Sequence, residues 1–242
     1  RTAPMKQIIT LSRMLLAARL TIAAGSMLAL IAPASAVSMS ADKDTETNDR
    51  PADMRAIYSI EDRAEAIAEG EKVGDVAIVA GRESIAKWPS LRATLAQKGA
   101  SAQELTQMNM RMNELARRLH DSRGLKRAAN DVTGALAPLF RIVGEKIPAD
   151  VHSLDYLGRS IGLDASMEQW SRASRDAYAL DRAWLHLKPI IAAKANSGKV
   201  VLMFNLAVRQ ARDGTHDRNA KETQTGATAV GNAVDAVEGL YK

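Results

Sequence analysis

Seven apolar residues, Trp170, Ala173, Ala177, Leu180, Trp184, Leu187 and Ile191, follow one another at alternating steps of three and four. That spacing puts all seven on one stripe of an α-helix and on no single face of a β-strand. Three further runs share it: Leu105, Met108, Met112, Leu115 and Leu119; Leu125, Ala129, Val132, Leu136, Leu139 and Val143; and Ala227, Val230, Val234, Val237 and Tyr241. No segment alternates apolar and polar residues between hairpin turns, as a half-buried strand would. The chain has nine aromatic residues (three Trp, four Tyr, two Phe), so a core must be built mainly from Ala, Leu, Val, Ile and Met, a mixture that suits helices better than sheets. The expected fold class is all-α, an antiparallel helical bundle.

Punctuation between the runs agrees. Ser101-Ala102-Gln103-Glu104 after Gly99 has the capping-box pattern. His120 to Gly124 separates the first two of those three runs, Gly144 to Asp150 is the expected midpoint linker, and Asn196-Ser197-Gly198 and Asp213-Gly214 are expected turns. Asp121 and Asp217 are natural N-caps. Pro89, Pro138 and Pro189 fall in helical stretches, where a kink or a boundary is expected.

The chain also resembles itself. Displaced by 96 residues, Trp88 falls on Trp184, Leu91 on Leu187, Asn109 on Asn205 and His120-Asp121 on His216-Asp217, with eight identities over the 34 ungapped positions 88–121. About two or three would arise by chance at ordinary amino-acid frequencies. The expectation is an internal duplication giving two related four-helix halves, repeat 1 over 51–146 and repeat 2 over 147–242.

Ahead of the repeats, residues 5–36 read as a secretory signal peptide: basic Lys6, Arg13 and Arg19, an apolar run over 20–31, then Ala34-Ser35-Ala36 as a cleavage triplet before Val37. Residues 1–36 are therefore taken as an N-terminal extension plus leader, and the polar segment 37–50 as a disordered mature N-terminus. The expected location is periplasmic or secreted, with no membrane span after cleavage. The formal net charge is +5, but residues 1–36 hold four basic and no acidic residues, leaving 29 basic against 28 acidic residues beyond the leader. A near-neutral mature chain argues against nucleic acid as a partner.

Chemistry is sparse. With no cysteine, thiolate metal sites, covalent haem attachment and thiol nucleophiles are excluded. No glycine-rich phosphate loop, H-E-x-x-H or G-x-S-x-G occurs. The reading is a non-enzymatic binding protein, with no cofactor, that takes a protein partner or a small apolar ligand on helix faces or in an inter-helix groove. Trp88, Trp184, His120 and His216 are the candidate ligand-binding residues, because the proposed repeat places them equivalently. The alternative is a carrier of copper, zinc or non-covalent haem using Met108, Met112, His120 and His216. Against it, the repeat puts Phe204 and Val208 where Met108 and Met112 stand, and volume without sulfur serves packing, not ligation. Asp155 and Arg159, four apart, are expected to pair on a helix surface. Arg117, Arg118, Arg123, Lys126 and Arg127 read as a solvated face.

Overall fold

The computed structural model describes residues 50–241; the leader and residues 37–49 of the polar segment lie outside them. Eight α-helices run through the described residues, and no strand: α1 (Ala52–Glu69), α2 (Gly74–Gln97), α3 (Ala102–Arg118), α4 (Ser122–Leu136), α5 (Ala149–Ser166), α6 (Trp170–Ala192), α7 (Gly198–His216) and α8 (Ala220–Glu238). Short 3-10 segments follow α4 (Ala137–Ile142) and α8 (Gly239–Tyr241). The all-α helical bundle is thus observed.

The helices form two rings of four. α1 packs on α2 and α4, and α3 on α2 and α4; α5 packs on α6 and α8, and α7 on α6 and α8. Each ring encloses its own apolar core. Ile60, Trp88, Leu95, Met108, Leu115, Val132 and Phe140 lie in the first, and Leu154, Ile161, Leu180, Trp184, Phe204, Val230 and Val237 in the second. Apart from Trp170 and Tyr241, which are partly exposed, every member of the four apolar runs is buried. Gly144 at φ +77° ends the first ring, a left-handed conformation that glycine adopts without strain, and α5 begins at Ala149, inside the expected linker 144–150. α5 also contacts α4 and the Ala137–Ile142 segment, so the two rings meet along α1, α4 and α5.

Caps follow local chemistry. Ser101 Oγ accepts from Glu104 N at 3.2 Å while the Glu104 carboxylate accepts from Ser101 N at 2.8 Å, completing the capping box at α3. Asp121 accepts from Gly124 N at 3.3 Å and caps α4. Its counterpart does not: Asn219, not Asp217, caps α8, accepting from Glu222 N at 3.2 Å.

Other expectations are corrected. Asp213-Gly214 is not a turn but the last stretch of α7. Gly214 is buried, and a β-carbon there would stand 2.6 Å from the backbone nitrogen of Thr223. The glycine lets α7 and α8 approach closely rather than breaking the chain. Pro89 and Pro189 sit inside continuous helices and bound neither, whereas Pro138 marks the change from α4 to the 3-10 segment.

Candidate functional site

The four residues singled out for ligand binding are not brought together. Trp88 is buried in the first core and donates from Nε1 to Asn109 Oδ1 at 2.6 Å; Trp184 is buried in the second and donates to Asn205 Oδ1 at 2.9 Å. Both indoles thus have their one polar atom satisfied within their own half, twenty-one residues on in each case. His120 and His216 are exposed at helix ends of different halves, and the His216 ring faces Asp217 at 2.9 Å. Met108 and Met112 point into the first core. His120 lies eight residues beyond Met112, about 12 Å along a helix. Among the described residues no three His, Asp or Glu side chains are grouped so as to hold a metal.

Two features stand out instead. The first is on the surface of the second half. Leu185 on α6 and Leu202 and Leu206 on α7 are 59%, 58% and 55% exposed, with Tyr178 a further two turns along α6. The leucines line a groove of about 380 Å³ whose floor includes Trp184 and whose rim carries Asp181, Arg209 and Arg212. Leu202 and Leu206, at i, i+4, share a face of α7, and with Leu185 of α6 they make one apolar lining between the two helices. The positions 96 residues earlier hold Pro89, Thr106 and Met110; the strip of leucines belongs to the second half alone. Trp184 is the one predicted site residue that the structure places at a groove.

The second feature is a charged seam between the halves. Arg159 on α5 is largely buried and donates to Glu65 at 2.8 Å, to Glu69 at 3.1 Å and to Asn130 Oδ1 at 3.1 Å, besides pairing with Asp155 at 2.6 Å. The expected surface pair is therefore a buried hub that ties α5 to α1 and α4. Arg127 is likewise not on a solvated face: it reaches Asp164 at 2.6 Å, Asp131 at 3.2 Å and Asp176 at 3.7 Å. Arg117 and Arg118 stay exposed, as read.

His152 is the centre of the seam. It is only 5% exposed. Its Nδ1 faces Glu61 Oε1 at 3.1 Å, and its ring stacks on Phe140 at 3.8 Å between centroids and 4° between planes. Nε2 is buried without a hydrogen-bond partner. Burial alone would lower the His152 pKa, but the Glu61 carboxylate, aided by Glu238 and Glu145, outweighs it and raises it. Burial pushes Glu61 up against the pull of His152. Burial and the neighbouring Glu61 carry Glu65 to about 9, and burial carries Glu238 to about 7. Tyr58 donates its hydroxyl to Glu145 at 2.7 Å and is held above its ordinary value by burial and that carboxylate.

Reading for apolar stripes did not find the seam, although a signal exists. Glu61, Glu65 and Glu69 are spaced four apart on α1, an arrangement in which like charges repel in an isolated helix. Such a row needs cations from elsewhere in the molecule, and His152 and Arg159, seven apart on α5, supply them.

No protein family matches the chain, and no curated protein or solved structure is similar to it. Among the described residues, no helix is long and apolar enough to cross a membrane.

Proposed function

We propose that this chain is a non-catalytic binding protein that docks an amphipathic helix of a partner protein in the groove between α6 and α7. The observation that carries the reading is the exposed strip Leu185, Leu202 and Leu206 over Trp184. Contiguous exposed apolar side chains rimmed by charge mark interaction sites, and a groove between two helices accepts the apolar face of a third at i, i+3, i+4 and i+7. Arg212 on the rim is paired with Asp181 at 3.9 Å and Asp213 at 3.7 Å, which leaves Arg209 as the rim cation for an acidic residue beside the apolar face of the partner helix. Two copies of this surface would set arginines against arginines, which disfavours self-pairing.

Two further readings accompany this one. The leader pattern over 5–36 supports export, and N-terminal sequencing of protein from the source cell tests it by beginning at Val37. The common ring order of the two halves and their matching Trp–Asn bonds, both 21 residues apart, support descent from one duplicated unit. Superposition of 51–146 on 147–242 tests that reading, and failure to superpose with Trp88 on Trp184 contradicts it.

The docking proposal is tested by a photo-crosslinking amino acid at Leu206, expressed in the source cell, with the same label at exposed Arg92 as control. A discrete hetero-adduct at Leu206 that disappears with Leu202→Asp is expected. Adducts equal to those at Arg92, or unchanged by Leu202→Asp, would contradict it.

A further inference from the structure

The two halves meet through more acid than base, with Glu61 buried, Glu65, Glu145, Asp155 and Glu238 partly exposed, and Glu69 and Asp235 exposed. From α1 come Glu61, Glu65 and Glu69, with Tyr58 beside them; from the linker Glu145; from α5 Asp155; from α8 Glu238 and Asp235. Facing them are His152 and Arg159 of α5, Lys126 of α4, whose Nζ lies against Gly70, and Arg50 over the Tyr58 ring at 4.4 Å. One guanidinium is shared among Asp155, Glu65 and Glu69, and one imidazole is set against Glu61 and, at longer range, Glu238. The halves have separate apolar cores; α5 packs on α4 and the Ala137–Ile142 segment, where Arg127 also pairs with Asp164, while between α1 and α5 the contact is this polar network. A groove of about 790 Å³ opens along it, lined on one side by Glu65, Glu69 and Lys126 and on the other by Asp155, Arg159 and Thr228.

We infer that the seam is a pH-operated hinge: protons held among the Glu61–His152 pair, Glu65 and Glu238 keep the halves closed on each other, and their loss opens the groove. Unpaired charge is costly to keep away from water, so a buried carboxylate without its own cation either holds a proton or draws in solvent. Closed, His152 as imidazolium pairs with Glu61 and lies on the Phe140 face, a favourable place for a cation. Deprotonated, Glu61, Glu65, Glu69 and Asp155 between α1 and α5 outnumber Arg159 and Lys126, and separation of α1 from α5 relieves the repulsion.

All four groups act in one direction. Each has a folded-state pKa above its ordinary value, with Glu238 near 7 and Glu65 near 9. A group raised in the closed state stabilises that state fully below its ordinary pKa and ceases to do so as pH rises through the raised value. The hinge therefore works between mildly acid and mildly alkaline solution. Each half stays folded because its own core does not titrate.

The test uses the whole chain, whose lack of cysteine allows unique spin labels at Val73→Cys in the first half and Thr228→Cys in the second. Both sites are exposed. Inter-label distances are measured at about pH 6 and about pH 10, a span that passes the values of both Glu238 and Glu65, with far-UV circular dichroism in parallel. The expected result is a longer, broader distance distribution at the higher pH with helix content unchanged. In the Glu65→Gln/Glu238→Gln variant, whose amides mimic the protonated groups, the short distance should persist at both values. An unchanged distance in the parent chain would overturn the proposal, as would the same lengthening in the double variant. A loss of helix content that accompanies the lengthening would also overturn it, since that is unfolding rather than hinging.

Discussion

At the scale of single residues, Trp88 and Trp184 solve one problem twice. Each is too large and too apolar to leave outside, and each carries one N–H that must find a partner once inside. Asn109 and Asn205 provide it. Replacing either asparagine by alanine strands a buried donor, which costs about 1–3 kcal/mol. Chemical denaturation of Asn109→Ala and Asn205→Ala should therefore give losses of similar size; a neutral result at either would deny that bond a structural role. Met108 is fully buried among apolar neighbours, so Met108→Leu should cost under about 1.5 kcal/mol and leave metal content unchanged. These residues were legible in sequence because their spacing carries their burial. His152 was not, since one histidine carries no period, and its meaning depends on Glu61, which lies 91 residues away in the chain.

At the scale of helices, spacing predicted α3, α4, α6 and α8 because each presents one apolar stripe to one core. α1 and α5 were harder to read. Each faces a core on one side and the other half on the next, so a charged stripe runs beside the apolar one and blurs the period. Gly214 misled for a related reason: glycine ends helices, but it also lets two helices touch. The same logic separates two glycines of α8. A β-carbon at Gly226 would overlap the backbone of Ala211 on α7, whereas none at Gly231 meets any atom within 4 Å. Gly226→Ala should destabilise by about 1–3 kcal/mol through forced separation of α7 and α8. Gly231→Ala should instead stabilise by about 0.5–1 kcal/mol through helix propensity. Thermal melting of the two variants checks the pair, and shifts of the same sign would contradict this account of the packing.

At the scale of the whole molecule, two apolar cores are joined by a polar seam, and the groove lined by exposed leucines lies on the second half, while the first half exposes Val73, Val76 and Val79. The seam gives stability a definite dependence on pH. Glu65 and Glu238, ordinarily near 4.5, are raised to about 9 and about 7, so their proton-linked stabilisation is complete in acid and fades as pH rises through those values. Asp53 and Glu104 act oppositely: hydrogen bonds and the nearby Lys98 and Arg141 outweigh burial and hold them below their ordinary values, so their contribution fades as pH falls. Urea midpoints should accordingly be highest in mildly acid solution and lower at about pH 9; a midpoint that rises from mild acid to alkali would contradict the charge arrangement described.

The claim that most defines this protein is that α6 and α7 receive a partner helix. Hydrogen exchange measures it most directly, on the purified chain alone and with the partner identified by crosslinking at Leu206. The account predicts added protection confined to residues 178–190 and 199–212, the stretches that hold the exposed Tyr178, Leu185, Ile190, Leu202 and Leu206. Protection centred instead on α1 and α5, or none at all, would place the binding surface elsewhere and contradict it.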